Sequence, residues 1–177
     1  MTPPELLLTQ RWLERAVIGL NLCPFAKAVH TRGRVRSVLS LAADDHGVLL
    51  ELVNELQHLS QVSADAVDTT LIVIPHLFAD FGDFNDFLGE AEDELWVQGF
   101  EGVFQIASFH PRYQFADTAI DDAQNNTNRS PYPTLHILRE ASVDAAVAAL
   151  NTETIYQTNI ATMQQLGSDG YAKLLAS

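Results

Sequence analysis

Two histidines follow apolar segments of this 177-residue chain and are placed for acid–base chemistry. His76 follows the segment 69–75, and His110 follows the segment 102–109. If both segments are parallel strands, the two histidines lie at the carboxyl-terminal edge of one sheet, where open α/β sheets bind ligands. His110 is then a candidate general acid or base, and Tyr113 is a candidate catalytic neighbour that orients the substrate.

Three arginines stand together in a part of the chain that follows a long stretch without cations. No lysine or arginine occurs in residues 37–111, and then come Arg112, Arg129 and Arg139. Because the guanidinium fork suits both carboxylates and phosphates, these arginines are candidate ligands of an anionic substrate. The alternative is that they form ion pairs, for example with Glu140.

The segment around Arg129 also carries polar side chains on a stiff backbone. Pro131 and Pro133 restrict the chain next to Asn128 and Ser130. A rigid loop holds polar groups in a set geometry, so we interpret Asn128 and Ser130 as candidate substrate-binding residues.

Cys23, the single cysteine, is a candidate covalent participant at the end of the first predicted helix. The dipole of that helix disfavours a thiolate at its C-terminus, whereas a helix starting after Pro24 would favour one. The alternative is a buried small hydrophobe. Cys23, His76, His110 and His136 are also a candidate metal set, although no pair has metal-motif spacing and His136 has the alternative of a satisfied core histidine.

Hydrophobic periodicity predicts the elements that must position these groups. Helical spacing predicts helices over 4–21, 45–61, 82–98, 143–150 and 153–166. Apolar and β-branched segments predict strands over 34–42, 69–76, 102–110 and 134–138. This order predicts one α/β (or α+β) domain over residues 1–177, with a mixed or mainly parallel four-stranded sheet and helices packed on it. The segment 111–132 is long for a loop without structure, which favours a functional role.

The composition limits the partners that we expect. The net charge of −13 opposes binding to nucleic acid or to an anionic membrane surface. No apolar stretch reaches the roughly 20 residues that span a bilayer, and the N-terminus lacks the basic region of a signal peptide. One cysteine cannot form an internal disulfide, so we expect a cytoplasmic, acidic protein.

Three segments resemble a mostly bacterial family, domain of unknown function 1415: WLERAVIGLNLCPFAK at 12–27, FQIASFHPRYQFA at 104–116 and NRSPYPTLHILRE at 128–140. The resemblance spans nearly the whole chain and implies a small standalone cytosolic protein. It implies no activity, cofactor or catalytic residue. The three segments include Cys23, His110, Arg129, His136 and Arg139, which are among the candidates above.

Three functions remain open. The first is an enzyme for a small anionic metabolite, with His110 as the acid or base and the three arginines as anion ligands. The second is a metal protein that uses Cys23 and the histidines. The third is a non-catalytic module whose acidic segment 80–94 docks a basic partner. We rank the enzyme first, because two motif-like loops flank one expected sheet edge.

Overall fold

Four short strands form one mixed sheet at the centre of the protein. A computed structural model describes residues 2–148 and 152–176. The strands are β1 (Val35–Leu39), β2 (Thr69–Val73), β3 (Phe104–Phe109) and β4 (Thr134–Arg139), in the spatial order β1-β2-β4-β3. β1 and β2 are parallel, whereas β4 runs antiparallel to both of its neighbours, β2 and β3. The predicted four-stranded sheet is confirmed, and it is mixed because the last strand returns between two earlier ones.

Within residues 2–148 and 152–176, six α-helices accompany the sheet: α1 (Pro4–Trp12), α2 (Ala26–Thr31), α3 (Asp45–Gln61), α4 (Phe81–Val97), α5 (Glu140–Ala148) and α6 (Thr152–Ala176). The carboxylates of Asp44 and Asp80 accept the backbone N–H groups of Gly47 and Gly82, at 2.8 and 2.7 Å, and so cap α3 and α4. Gly167 interrupts α6 with a positive φ of 67°. The helices that the sequence predicts at 45–61 and 82–98 agree with α3 and α4 to within one residue.

The first helix is less regular than its sequence predicts. α1 continues without a break into a π-helix, Leu13–Ile18, and the chain turns after Gly19. A Cβ atom at Gly19 would overlap the carbonyl oxygen of Arg15, so this turn requires glycine. Wider π-helical turns are rare and often lie beside functional sites.

One face of the sheet, the core face, packs against α3 and α4. Side chains alternate along a strand, so every second residue points to this face. The strands contribute fully buried apolar side chains, and the two helices complete the cluster: Ile72, Ile74, Phe104, Leu135, Ile137, Leu52, Leu56, Leu59, Phe84, Phe87 and Ala91. Burial of this size is the main source of the stability of the domain.

The opposite face, the cavity face, lies towards α1, the π-helix, α2 and α5. It presents Thr69 and Leu71 of β2, His136 and Leu138 of β4, and Phe109 of β3. A second apolar cluster joins the π-helix and α6 over the Phe109 end of this face; its buried members are Trp12, Leu13, Ala16, Val17, Leu22, Met163 and Tyr171.

The long segment 111–132 is ordered by its own polar groups. It contains a 3₁₀-helix, Ala123–Asn128. The buried side-chain oxygen of Asn125 accepts the Phe115 N–H and the Thr118 hydroxyl, both at 3.0 Å, and its amide donates to the Ala119 carbonyl at 2.8 Å. The prolines at its end lead directly into β4.

No helix in the described part of the chain has both the length and the apolar character needed to cross a membrane.

Candidate functional site

His110 lies buried between aromatic rings just beyond β3. It is 1% exposed, its Nε2 donates to the Phe78 carbonyl at 2.8 Å, and its Nδ1 accepts the Arg112 N–H at 3.0 Å. The rings of Phe81 and Phe84 lie 5.3 and 5.4 Å from its ring. Burial is the main reason that its pKa falls below the ordinary value. Because both ring nitrogens have backbone partners, the geometry favours a structural role for His110 over the acid–base role.

Arg129 uses its guanidinium to hold the segment 111–132 in place. Its Nε donates to the Tyr113 carbonyl, Nη1 to the Asn126 side-chain oxygen, and Nη2 to the Ile120 carbonyl. The three distances are 3.2, 3.2 and 2.7 Å. Burial lowers the pKa of Arg129. The group is committed to protein oxygens, which favours a role in loop structure over anion binding.

Arg139 makes an equivalent set of contacts at the end of α3. Its Nη2 donates to the carbonyls of Leu59, Val62 and Val67 at 2.8, 2.8 and 3.0 Å, and its Nε also reaches the Val67 carbonyl. Its guanidinium carbon lies 5.6 Å from the centre of the Phe104 ring. Carbonyls at a helix C-terminus carry partial negative charge, so Arg139 acts as a cap on α3.

Arg112 and His76 lie beyond the sheet edge that the sequence predicts to be shared. β2 and β3 do run in the same direction, because both are antiparallel to β4, which separates them. Both side chains point outwards: His76 is exposed, and Arg112 is 61% exposed with Nη1 3.9 Å from the Asp80 carboxylate.

Hydrogen bonds within the protein hold three further candidate side chains, those of Tyr113, Asn128 and Ser130. The Tyr113 hydroxyl bonds to the side chains of Ser108 and Asn128, and burial is the main reason that its pKa is raised. The buried Ser130 hydroxyl donates to the Tyr132 carbonyl at 2.6 Å. Asn128 also lines a cavity between the π-helix, α6 and the 3₁₀-helix.

The four predicted metal ligands are not assembled. His136 pairs with Leu71 in the middle of the sheet, and His76 is five residues further along the chain from Leu71. Both nitrogens of His110 are occupied, and Cys23 lies on the cavity side. Across residues 2–148 and 152–176, no three His, Cys, Asp or Glu side chains are arranged to hold a metal ion.

One concave site lies on the cavity face, and we call it the sheet cavity. It has a volume of about 310 Å³, near the lower end for small-molecule sites. Its walls come from the sheet, the π-helix, α2 and α5, and most of its lining is apolar: Trp12, Leu13, Val17, Phe25, Val29, Leu71, Phe109, Leu138, Val143 and Ala146. Two charged residues reach it, and both have partners: Asp68 accepts the Ser142 hydroxyl at 2.6 Å, and Arg139 caps α3.

His136 provides the sheet cavity with a polar atom of defined character. The Thr69 hydroxyl lies 2.6 Å from His136 Nε2 and 2.6 Å from the Ile137 carbonyl. A carbonyl only accepts, so the hydroxyl donates its hydrogen to Ile137 and receives the Nε2–H of His136. His136 Nδ1 is then a bare acceptor, and within the described chain it has no partner and is not sealed from solvent.

Burial also fixes the charge of His136. It lowers the pKa of His136 from 6.5 to about 4, because charging the ring in apolar surroundings is unfavourable. The ring is therefore neutral at pH 7. Phe109 supports it, with the two ring centres 5.9 Å apart.

A second concave site, which we call the loop cavity, adjoins the first. It has a volume of about 270 Å³ and lies between the π-helix, α6 and the 3₁₀-helix. Val17, Cys23 and Phe109 line both cavities. The remaining lining residues include six polar or aromatic side chains: Phe115, Gln124, Thr127, Asn128, Tyr156 and Asn159.

The sequence did not single out Thr69, Trp12 or Gln124. Thr69 faces His136 only because β4 lies antiparallel beside β2, a pairing that follows from the sheet order. Trp12 looked like an ordinary apolar position of an amphipathic helix. The one available signal was the His136 position, polar within a strand that is otherwise apolar.

The comparisons with known proteins give a family and no activity. The model of the family described as Protein of unknown function (DUF1415) matches residues 6–173, and the chain therefore belongs to that family. No curated protein and no solved structure matches the chain.

Proposed function

We propose that this member of the DUF1415 family binds a small, uncharged, mainly apolar molecule in the sheet cavity. The observation that carries the proposal is the unpartnered Nδ1 of a neutral His136 in a mainly apolar cavity of about 310 Å³. Ligand sites commonly combine an apolar lining with a few fixed polar groups. A hydroxyl or amide N–H on the ligand would donate to Nδ1 and set its orientation.

The low pKa supports binding over acid–base catalysis at this site. A general base works best when its pKa is near the working pH, and a base with a pKa of about 4 has little tendency to take a proton at pH 7. A neutral ring held by Thr69 is instead a fixed hydrogen-bond acceptor. The lining also supports an uncharged ligand. Among the described lining residues, Arg139 is the one lysine or arginine, and its guanidinium is already bonded to carbonyls at the end of α3.

Hexanol and chlorohexane, equal in length but differing in a hydroxyl donor, test the proposal. The chain has two tryptophans, Trp12 in the cavity wall and the exposed Trp96, so a Trp96→Phe background makes Trp12 the single reporter. We expect both probes to change Trp12 emission, with hexanol binding about fivefold more tightly, as one hydrogen bond provides. His136→Phe should remove that preference.

Two neighbouring alanines of α5 provide a matched pair. Ala146 lines the sheet cavity, whereas Ala145 is exposed. Ala146→Phe should abolish binding of both probes, and Ala145→Phe should leave it unchanged. Equal effects of the two variants, or no response of Trp12 to either probe in the folded protein, would refute the proposal.

A further inference from the structure

The loop cavity differs from the sheet cavity in the polar groups that it offers. The Gln124 side-chain amide has no hydrogen-bond partner among the described residues and is not sealed from solvent. Asn159 donates its amide N–H to the Leu22 carbonyl at 2.8 Å, which fixes its orientation and leaves its side-chain oxygen as an acceptor. The loop cavity therefore presents a donor and acceptors at its wall.

These groups are all neutral. The described lining of the loop cavity contains no Lys, Arg, Asp, Glu or His side chain. A carboxylate or phosphate placed there would lose its hydration without gaining a cation, which is costly. A hydroxyl or a primary amide would instead both donate to and accept from Gln124 and Asn159.

The two cavities share a wall at Val17, Cys23 and Phe109. A ligand that extends from the sheet cavity into the loop cavity would place its apolar body against the sheet and its far end beside Gln124. Each of the two adjacent cavities offers a polar group, His136 Nδ1 in the sheet cavity and the Gln124 amide in the loop cavity.

We propose, building on the function above, that the ligand is an elongated uncharged molecule with a hydrogen-bonding group at each end, one on His136 and one on Gln124. The loop cavity is the subsite for the second polar group. Its chemical class is an alcohol or amide, and carboxylates of the same length are excluded by the neutral lining.

Decanediol with a hydroxyl at each end, decanol, decanoate and hexanol are probes that separate the two subsites. In the Trp96→Phe protein we expect decanediol to bind about fivefold more tightly than decanol, which makes one hydrogen bond fewer. Decanoate should bind more weakly than decanol. Hexanol should bind in the sheet cavity alone.

Three variants locate the effect. Gln124→Leu should remove the preference for decanediol and leave hexanol binding unchanged, while Gln164→Leu, at an exposed position of α6, should change neither. Ile160→Phe, which narrows the loop cavity and does not touch the sheet cavity, should weaken both ten-carbon alcohols and spare hexanol. Unchanged hexanol binding shows that each variant is folded.

The outcomes separate this inference from the proposed function. If hexanol binds but decanediol has no advantage over decanol, or if Gln124→Leu preserves that advantage, the loop-cavity subsite is refuted and the sheet-cavity proposal stands. If decanoate binds best, the uncharged class is refuted. If no probe alters Trp12 emission, the proposed function itself fails, and the inference fails with it.

Discussion

The core face and the cavity face belong to the same four strands but are covered in different ways. On β4, Leu135 and Ile137 point to the core face and are fully buried against α3 and α4. His136 and Leu138 point the other way, towards a cavity of about 310 Å³. The core face is therefore closely packed, whereas the cavity face keeps an open volume and a polar group.

The covering elements explain this difference. α3 and α4 are each 17 residues long, regular and capped, and they pack along the sheet. The cavity face is covered by a π-helix, by the six-residue α2 and by the short α5. Short and irregular elements fill a face less completely than two long amphipathic helices, so voids collect on that side.

Truncation of one leucine on each face of β4 tests this contrast and should have the largest effect. Leu135→Ala removes a fully buried side chain and should lower the free energy of unfolding by about 4 kcal/mol. Leu138→Ala, beside an existing cavity, should cost about 1–2 kcal/mol, since fewer contacts are lost. Urea denaturation of both variants measures the difference. Equal losses would mean that the two faces are equally packed.

Acid should destabilise the protein through His136. Its folded-state pKa of about 4 lies below the unfolded value of 6.5, so the unfolded chain takes up the proton first as the pH falls. The stabilising contribution is complete above pH 6.5 and is lost as the pH falls to about 4. The shift corresponds to about 3 kcal/mol.

Paired unfolding measurements at neutral pH and near pH 4.5 isolate this effect. His136→Phe should reduce the loss of stability on acidification, because the substituted ring does not titrate. His76→Asn, at an exposed position, is the control, and it should lose as much stability between the two pH values as the unsubstituted protein. The same acid sensitivity in His136→Phe would show that the ring is not held neutral by the cavity.

A methyl group at Gly19 should disturb the cavity face alone. The added Cβ overlaps the Arg15 carbonyl, so Gly19→Ala must unwind the end of the π-helix, and we expect a loss of about 2 kcal/mol. Gly89 lies inside α4 with open space around it, and Gly89→Ala should stabilise by about 0.5–1 kcal/mol. Thermal unfolding of the two variants gives opposite signs if the π-helical wall is as described, and the same sign if it is not.

The smallest effect should come from the rim between the two faces. Arg112 is 61% exposed, and its contact with Asp80 is long at 3.9 Å. Arg112→Ala should change the free energy of unfolding by less than about 0.5 kcal/mol and leave hexanol binding unaltered. A large loss of hexanol binding in this variant would contradict the placement of Arg112 outside the binding site.

Sequence periodicity predicted the core face well and the cavity face poorly. α3 and α4 have unbroken apolar stripes and aspartate caps, and β2 is a β-branched apolar segment, so local rules were sufficient. The position of β4 between β2 and β3 depends on long-range pairing, which no local pattern encodes. The choice between His110 and His136 depended on that pairing too.

The same limit applied to the arginines. Arg129 and Arg139 were correctly marked as unusual in a chain with ten cations, but sequence spacing does not show which carbonyls a guanidinium will meet. The Arg139 guanidinium bonds to carbonyls at the end of α3, and the Arg129 guanidinium bonds to carbonyls within the segment 111–132. The π-helix is likewise hidden, because its six residues are too few for an apolar pattern to distinguish it from the α-helix that it continues.

The central place of β4 has a consequence for biosynthesis. Residues 134–139 leave the ribosome after all three other strands, yet they must insert between β2 and β3. Until then the inner edges of β2 and β3 have unpaired backbone groups, which are prone to intermolecular pairing. Nascent chains that stall before residue 134 should therefore be aggregation-prone and depend on chaperones, and completion of the sheet is a late step of folding.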